Sequence, residues 1–197
     1  MVVKICGLTR LEDAQEAVER GAAAIGFVFW PESPRFVDPF RARAIAAKLP
    51  PFVAAVGVFV DQPVTYVNQV ASLVRLTAVQ LHGAETPSYA GAIARPVIKA
   101  IIPQGQSFDD WPSRVTLLVD ANDPVRKGGT GTRADWSAAA VVARRRRVLL
   151  AGGLTPENIA DAVAAVRPFG VDVSSGVEAS PGIKDARRLA ALFRALQ

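Results

Sequence analysis

Eight short runs of β-branched or aliphatic residues recur along the chain at nearly even intervals. They begin near Val3, Ile25, Val53, Ala78, Val97, Val115, Val148 and Val171, roughly 24 residues apart on average. Runs that are apolar without alternation are typical of strands buried on both faces, that is, of a parallel sheet covered by helices. Eight such strand–helix units in 197 residues predict an α/β protein, a single (β/α)8 TIM barrel over residues 1–197 at the compact end of that fold's size range.

Segments of helical character lie between most of these runs. Capping residues and helix-starting prolines predict five helices: residues 11–20 after the N-cap Thr9, residues 39–49 after Asp38, residues 64–76, residues 156–166 after Thr155, and residues 183–196. The stretch 104–113 is a poor helix, so the fifth helical unit is expected to be abbreviated. A doubly wound open sheet is the alternative, but it rarely carries eight such even units, and no G-x-G-x-x-G motif follows the first strand.

The composition excludes several classes of function. A single cysteine, Cys6, excludes an intrachain disulfide framework, and a single histidine, His82, excludes His-pair metal motifs. No apolar run approaches the roughly 18 residues that a membrane span needs. The N-terminus has neither the long apolar segment nor the cleavage site of an export signal. We therefore expect a cytoplasmic enzyme or binding domain that uses no metal or nucleotide cofactor and does not associate with membranes.

The net charge of +5 raises the question of a nucleic-acid partner. The only dense basic run is residues 144–147, and no aromatic residue interleaves it. No helix-turn-helix or RNA-binding motif is visible either. Basic side chains are favoured at a helix C-terminus by the macrodipole, so we interpret this run as a solvated helix end and expect no nucleic-acid partner.

Reactive side chains stand at the ends of the predicted strands. Active sites of such barrels lie at the carboxyl ends of the strands, where Cys6 ends the first, His82 the fourth and Asp120 the sixth. Each has a simpler interpretation: a lone buried cysteine usually acts as a small hydrophobe, and an aspartate after a strand often orders a loop. Lys4 alternates with Cys6, so both should face the barrel interior, where the lysine charge can lower the pKa of the thiol.

Two glycine- and serine-rich turns predict a phosphate site. Gly152 and Gly153 lead into a helix N-terminus, where free N–H groups favour an anion. Ser174, Ser175 and Gly176 offer a second set of backbone N–H groups after the eighth strand. These are the loops that bind phosphate in many such barrels, although plain tight turns are the alternative.

Two further loops carry candidate binding residues. Arg35 follows two prolines after the second strand, and an arginine held there suits bidentate recognition of a carboxylate; a surface arginine in a turn is the alternative. Residues 128–131 (GGTG) are interpreted as a cover over the ligand or a linker, since no Lys-Ser/Thr pair follows as in a Walker loop.

Motifs over residues 4–184 together resemble the phosphoribosylanthranilate isomerase family. They are KICGLTR at 4–10, GFVF at 26–29 with SPR at 33–35, VGVF at 56–59, QLHG at 80–83, GGTG at 128–131 with DW at 135–136, AGGL at 151–154 with PEN at 156–158, and DVSSGVE at 172–178. The resemblance implies an isomerase of tryptophan biosynthesis. Such an enzyme converts N-(5-phosphoribosyl)anthranilate to 1-(2-carboxyphenylamino)-1-deoxyribulose 5-phosphate, an Amadori rearrangement that needs proton transfers but no cofactor.

The resemblance also implies a role for each candidate residue. Asp120 would be the general acid that protonates the furanose ring oxygen, and Cys6 the general base that removes the C2′ proton. Arg35 would pair with the anthranilate carboxylate, and His82 and Gly129 would contact the substrate, with a structural hydrogen bond as the alternative for His82. The phosphate of this small-molecule substrate would be held by Gly152, Gly153, Ser174, Ser175 and Gly176. Members of the family occur as monomers and as dimers, so the resemblance implies a monomer or a homodimer.

Two other functions are open at this point. A histidine-pathway type of phosphoribosyl sugar isomerase runs the same chemistry. A pair of aspartates is typical of that class, one of them at the end of the first strand, where this chain has Cys6. A phosphate-binding barrel without catalysis, a sensor or scaffold, is the other alternative. Such a protein would need neither Cys6 nor Asp120, and this chain has both.

Overall fold

A closed barrel of eight parallel strands forms the centre of the protein. The computed structural model describes residues 1–102, 108–120 and 136–197. The strands are β1 (Val2–Cys6), β2 (Ala24–Val28), β3 (Ala54–Phe59), β4 (Ala78–Leu81), β5 (Val97–Ile101), β6 (Thr116–Val119), β7 (Val148–Leu150) and β8 (Gly170–Val173). Each pairs with the next in sequence, and β1 pairs with β8 to close the barrel. The predicted (β/α)8 fold is therefore confirmed, strand by strand.

Helices cover the outside of this barrel. They are α1 (Leu11–Glu19), α2 (Pro39–Ala46), α3 (Val64–Val74), α4 (Pro87–Gly91), α5 (Trp136–Ala143), α6 (Ile159–Val166) and α7 (Ala186–Ala195), with a 3-10 turn at Ser175–Val177. A two-stranded antiparallel pair, β9 (Glu178–Ser180) and β10 (Ile183–Lys184), precedes α7. No helix lies in the described part of the β5–β6 connection, residues 102 and 108–115, which agrees with an abbreviated fifth unit; residues 104–107 of the predicted poor helix lie outside the described residues. None of the described helices is long and apolar enough to cross a bilayer.

The predicted helix starts are right at both α1 and α2, but the predicted N-cap is right only at α2. The Asp38 carboxylate accepts hydrogen bonds from the backbone N–H groups of Phe40 and Arg41, as an N-cap should. At α1 the N-cap residue is Arg10 and makes no capping bond with its side chain. The expected cap, Thr9, donates its hydroxyl to the carbonyl of Gly182 instead, over 2.6 Å. Thr9 therefore bonds a residue that is distant in sequence instead of capping the helix that follows it.

The last two helices begin three residues later than predicted. Asn158 bridges the turn before α6: its Oδ1 accepts from Thr155 N and its Nδ2 donates to the carbonyl of Gly153, so the helix starts at Ile159. At the C-terminus, residues 183–184 pair with β9 rather than begin a helix. Asp185 caps α7 by accepting from the backbone N–H groups of Arg187 and Arg188.

The basic run at 144–147 is only partly a solvated helix end. Arg146 donates four hydrogen bonds to backbone carbonyls of Phe108, Trp111, Pro112 and Val115. These residues belong to the segment that replaces the fifth helix, so Arg146 supplies donors to carbonyls that no helix satisfies. For Arg146 the interpretation as a solvated charge is wrong.

The barrel interior is separated from the core that packs under the helices. Cys6, Val28 and Val58 form one small cluster, distinct from the large apolar core that contains Ile5 and Phe27. Lys4 and Cys6 face the same side of β1, as predicted, because a Cβ built on Gly26 would lie 2.8 Å from Cys6 Sγ and 3.2 Å from Lys4 Cε. The carboxyl ends of the strands thus point polar groups into the mouth of the barrel.

Candidate active site

A single cleft at the carboxyl ends of the strands brings most of the predicted site residues together. Its lining includes Cys6, Arg35, His82, Asp120, Gly152, Gly153, Ser174 and Ser175. Gly176 is packed beneath the rim, where an added Cβ would overlap the carbonyl oxygen of Leu154. Gly129 lies outside the described residues. Residues from six separate strand ends and the loops after them therefore meet in one place.

Cys6 sits above a buried ion pair inside the barrel. Lys4 Nζ donates to Asp172 Oδ1 over 2.8 Å, with side chains 1 % and 7 % exposed. Burial by itself lowers the pKa of Lys4, but the charges of Asp172 and of the Cys6 thiolate outweigh it and hold that pKa above 10.5. The ammonium is therefore charged, and it lies on the same inner face as the thiol.

The pKa of the Cys6 thiol is raised above its ordinary value of 9.0. Burial is the largest cause, because it disfavours the thiolate, and the Asp172 carboxylate adds repulsion. Lys4 opposes both, as the sequence suggested, but it does not prevail. The predicted direction of the Lys4 effect is therefore right, but the net pKa is raised because burial, with Asp172, outweighs it.

Asp120 is not an isolated carboxylate. Its Oδ2 lies 3.3 Å from His82 Nε2, and both side chains are about one fifth exposed (19 % and 20 %). His82 Nδ1 in turn lies 3.1 Å from the amide nitrogen of Gln80. The acidic side chain therefore stands at the open end of a row of three polar groups, with Gln80 at its buried end.

The loop that carries His82 is anchored by a second buried ion pair. Glu85 accepts from the backbone N–H groups of Asp61 (2.9 Å) and Gly83 (2.8 Å). Lys99 Nζ lies 2.7 Å from the same carboxylate and also donates to the carbonyl of Gly83. The backbone N–H of His82 also donates to the carbonyl of Phe59, so the backbone is held at His82 and at the residue after it.

Arg35 lines the cleft and forms an ion pair with Glu178. Its Nε and Nη2 donate to the two carboxylate oxygens over 2.9 and 2.7 Å, a bidentate pair. Lys184 Nζ donates to Glu178 Oε1 over 2.8 Å. Burial alone would raise the pKa of Glu178, but these two cations hold it below its ordinary 4.5. Arg35 Nη1 has no hydrogen-bond partner among the described residues, and so is available to a ligand.

Gly7 makes room for this arginine. Its φ of +76° is a conformation that side chains rarely adopt, and a built Cβ would stand 2.6 Å from Arg35 Cδ. The glycine that follows Cys6 therefore serves two needs at once: it turns the chain at the rim and lets the guanidinium pass over it.

The loops after β7 and β8 contribute glycine and serine residues to the lining of the cleft. Gly152 and Gly153 have φ of +89° and +62°. Ser174 donates its hydroxyl to the carbonyl of Cys6 over 3.1 Å, which ties β8 to the end of β1. Ser175 begins the 3-10 turn Ser175–Val177, where the first N–H groups have no partner within the turn and suit an anion.

Sequence reasoning gave no role to four polar residues of this region. They are Gln80, Asp172, Glu178 and Lys184; each bonds another side chain, and Gln80 and Asp172 also line the cleft. The signal available was polar residues inside or directly after apolar strand runs, which must be paired when buried. Within the described ranges, no three His, Cys, Asp or Glu side chains are grouped as a metal site requires.

Comparison with known proteins gives a consistent result. A family model described as "N-(5'phosphoribosyl)anthranilate (PRA) isomerase" matches residues 3–195. The N-(5'-phosphoribosyl)anthranilate isomerase of Geobacter sp. (strain M21) is 50 % identical over 191 residues, covering 95 % of this chain and 93 % of the relative. The crystal structure of phosphoribosyl anthranilate isomerase from Thermus thermophilus superposes with a TM-score of 0.90 at 46 % identity, covering 100 % and 98 % of the two chains.

A second solved structure contains a bound ligand. It is described as phosphoribosyl anthranilate isomerase in complex with reduced 1-(O-carboxyphenylamino)-1-deoxyribulose 5-phosphate. It is 43 % identical to this chain, with a TM-score of 0.85, and the alignment covers 99 % of this chain and 98 % of the other.

Proposed function

The chain belongs to the N-(5'-phosphoribosyl)anthranilate isomerase family of tryptophan biosynthesis, and we propose that its cleft performs the rearrangement with Cys6 as general base and Asp120 as general acid. The observation that carries this assignment is that the two side chains end different strands, β1 and β6, and line one cleft. An acid and a base held on different sides of a sugar can act on its ring oxygen and its C2′ in turn.

The first step opens the ring. Asp120 gives its proton to the furanose oxygen as the C1′–oxygen bond breaks, and the bonding electron pair stays on that oxygen, which becomes a hydroxyl. The anthranilate nitrogen supplies its lone pair to C1′, which gives an iminium ion. Asp120 is left as a carboxylate, so a hydrogen-bond donor beside it stabilises the state that follows proton transfer.

The second step moves a proton from carbon. The Cys6 thiolate removes the C2′ proton, and the electron pair of that bond forms the C1′–C2′ double bond and neutralises the iminium, which gives an enolamine. Loss of the C2′ hydroxyl proton and protonation of C1′ then give the ketone. C1′ is reduced as C2′ is oxidised, so the electrons balance within the substrate.

The environment of Cys6 sets how much of it is reactive. Because burial and Asp172 raise the pKa of its thiol, the thiolate is a minor species at neutral pH. Lys4 limits this effect and is a charged neighbour for the thiolate once it forms. A base with a raised pKa is intrinsically stronger, which compensates part of its low abundance.

We propose that Arg35 binds the anthranilate carboxylate. Its bidentate pair with Glu178 uses Nε and Nη2, so the guanidinium is held in one orientation with Nη1 left for the ligand. A planar fork fixed in advance loses little freedom when it binds a planar carboxylate. His82, at the rim beside Asp120, is proposed to contact the sugar, and so is Gly129.

The phosphate is proposed to bind at the loops after β7 and β8. Gly152 and Gly153 form left-handed turns on the cleft lining, where their N–H groups can bind an anion, and Ser174, Ser175 and Gly176 add a second group. Gly176 suits this place because a side chain there would collide with the β7 loop. The 5-phosphate ligand bound by a similar solved isomerase supports a phosphate-binding cleft.

The whole molecule is proposed to be one catalytic domain over residues 1–197, cytoplasmic, and either monomeric or homodimeric, with no nucleic-acid and no membrane partner. The use of Arg146 as a structural donor supports the absence of a nucleic-acid surface. Light scattering across a range of concentrations distinguishes the two oligomeric states.

The direct test is turnover of freshly generated phosphoribosylanthranilate, followed by loss of its fluorescence against a no-enzyme control for its spontaneous decay. Wild type should turn over, and Cys6→Ala and Asp120→Asn should each lose roughly 10²-fold or more. Asp110→Asn, an exposed aspartate outside the cleft, is the matched control and should keep full activity. A wild type that binds a product analogue without turnover would instead indicate the non-catalytic barrel.

A further inference from the structure

Gln80 is a buried polar side chain with a hydrogen-bond partner for its amide nitrogen but none, in the described structure, for its amide oxygen. It lies on β4, is 1 % exposed and borders the cleft. Its amide nitrogen is 3.1 Å from His82 Nδ1, while its amide oxygen is buried without a hydrogen-bond partner in the described structure. An unpaired buried carbonyl is unfavourable and calls for an explanation, since an apolar residue of similar shape would avoid it.

The amide nitrogen determines where the imidazole carries its proton. An amide N–H group can only donate, so Nδ1 must accept, and the proton of a neutral His82 is then on Nε2. Nε2 faces Asp120 Oδ2 at 3.3 Å. In that tautomer a hydrogen-bond donor is directed at the carboxylate, and a small movement brings the pair to hydrogen-bonding distance.

The opposite amide orientation fits less well. It would turn the Gln80 oxygen to Nδ1 and leave both amide N–H groups unpaired, whereas the assigned orientation leaves the oxygen and one N–H unpaired. It would also place the proton on Nδ1 and a bare nitrogen lone pair against the carboxylate of Asp120. The orientation with Nε2 of Gln80 on His82 directs a donor rather than a lone pair at Asp120 Oδ2, and it is the one that we assign.

We propose that Gln80 and His82 are positioning residues for Asp120: Gln80 holds His82 in the Nε2–H tautomer, and His82 directs that N–H at the acid. This inference rests on the proposed role of Asp120. When Asp120 gives its proton to the ring oxygen, His82 donates a hydrogen bond to the new carboxylate and keeps its own proton. The histidine is thus neither the acid nor the base, and its contribution is to hold and stabilise the acid.

Hydrogen bonds hold the backbone that carries His82. Its backbone N–H donates to the carbonyl of Phe59 over 2.9 Å, and the next residue, Gly83, donates to Glu85. The backbone at His82 is therefore held in place, and the ring itself lies between two side-chain neighbours, Gln80 at Nδ1 and Asp120 at Nε2. With each ring nitrogen facing a defined partner, the remaining variable is which nitrogen carries the proton, and that is what Gln80 determines.

Nitrogen NMR tests the tautomer without reference to activity. The chain has one histidine, so protein made with ¹⁵N-histidine gives one pair of ring signals, read at a pH where titration in the same sample shows the ring to be neutral. Wild type should show a protonated Nε2 and an unprotonated Nδ1, Gln80→Leu a mixture of tautomers, and Gln80→Glu the reverse tautomer. A protonated Nδ1 in wild type, or an unchanged tautomer in Gln80→Leu, would overturn the proposal.

Kinetics and a matched control separate this role from a structural one. Gln80→Leu should lower kcat about tenfold, a part of the roughly 10²- to 10⁴-fold that a general acid contributes, with KM nearly unchanged. Its thermal stability should not fall, because the unpaired oxygen is removed. Gln62→Leu is the control, since both ends of that amide bond the backbone; it should lose stability and keep the tautomer.

A double variant tests whether Gln80 acts through Asp120. In an Asp120→Asn background, Gln80→Leu should cause no further loss of kcat; a full additional tenfold loss there would overturn the proposal. Failure of the proposed function is distinguishable, because it would appear as an Asp120→Asn enzyme with full activity whatever the tautomer of His82.

Discussion

Lys4 of β1 donates to Asp172 of β8 over 2.8 Å inside the barrel, two residues along the strand from Cys6. Both charges act on the thiol, and they act in opposite directions. Asp172 raises the pKa of Cys6 and Lys4 lowers it, while burial, the largest influence, raises it. The ion pair therefore moderates the reactivity of the cysteine from within the barrel.

Removing one partner of this pair should move the Cys6 pKa in a defined direction. Lys4→Met leaves Asp172 unopposed, so the pKa of the thiol should rise further; Asp172→Asn leaves Lys4 unopposed, so it should fall. Because the chain has one cysteine, thiolate absorbance during a pH titration reports Cys6 alone. Shifts in the same direction for the two variants would contradict this account.

Glu178 should stabilise the protein at neutral pH, and this stabilisation should be lost in acid. Its folded-state pKa lies below the ordinary 4.5 because Arg35 and Lys184 outweigh burial. The stabilisation is then fully present above pH 4.5 and is lost as pH falls through the lower folded value. Glu178→Gln should be less stable than wild type at neutral pH, and the two unfolding free energies should converge in acid. Parallel curves would contradict the prediction; Glu12→Gln, an exposed site, controls for the removal of charge.

Gly7→Ala should affect both stability and binding. The positive φ and the 2.6 Å approach to Arg35 Cδ predict a loss of about 1–3 kcal/mol in unfolding free energy. The displaced guanidinium should raise KM more than it lowers kcat. Gly91→Ala is the control, because nothing lies within 4 Å of its Cβ position, and it should be neutral or slightly stabilising. Equal effects of the two substitutions would show that the strain at Gly7 is absent.

Removing one partner of the Glu85–Lys99 ion pair should lower the unfolding free energy more than replacing both partners. Lys99→Met leaves a carboxylate that is 1 % exposed without its cation, and we expect a loss of about 3–5 kcal/mol in urea unfolding. Lys99→Met with Glu85→Gln should recover part of that loss. The exposed pair Arg145–Asp109 is the comparison, where Arg145→Met should cost under about 1 kcal/mol. Additive effects at Glu85 and Lys99 would contradict the coupling.

The strands and the rim could be predicted from sequence because they depend on local composition. Uninterrupted apolar runs identify buried parallel strands, and the residue that ends each run, such as Cys6 or Asp120, then lies at the mouth by the geometry of the fold. The cap at Asp38 was predictable for the same reason, since its partners are two and three residues away.

Features that depend on distant partners could not be predicted. Thr9 binds the carbonyl of a residue 173 positions away, and Arg35 binds Glu178 across 143 positions. The pKa of Cys6 likewise depends on burial and on Asp172, which one-dimensional spacing does not reveal. A pattern shows which side chains reach the cleft, but not which of them are already bound to each other.

Catalysis is assigned to the Cys6 thiolate as base and to Asp120 as acid, and the pH dependence of kcat/KM in single variants tests this assignment most directly. In Asp120→Asn the remaining rate should follow the thiolate, rising about tenfold per pH unit until it levels at the Cys6 pKa found by absorbance. In Cys6→Ser that rise should be absent. A flat profile in Asp120→Asn, or the same rise in Cys6→Ser after subtraction of spontaneous substrate decay, would contradict the assignment.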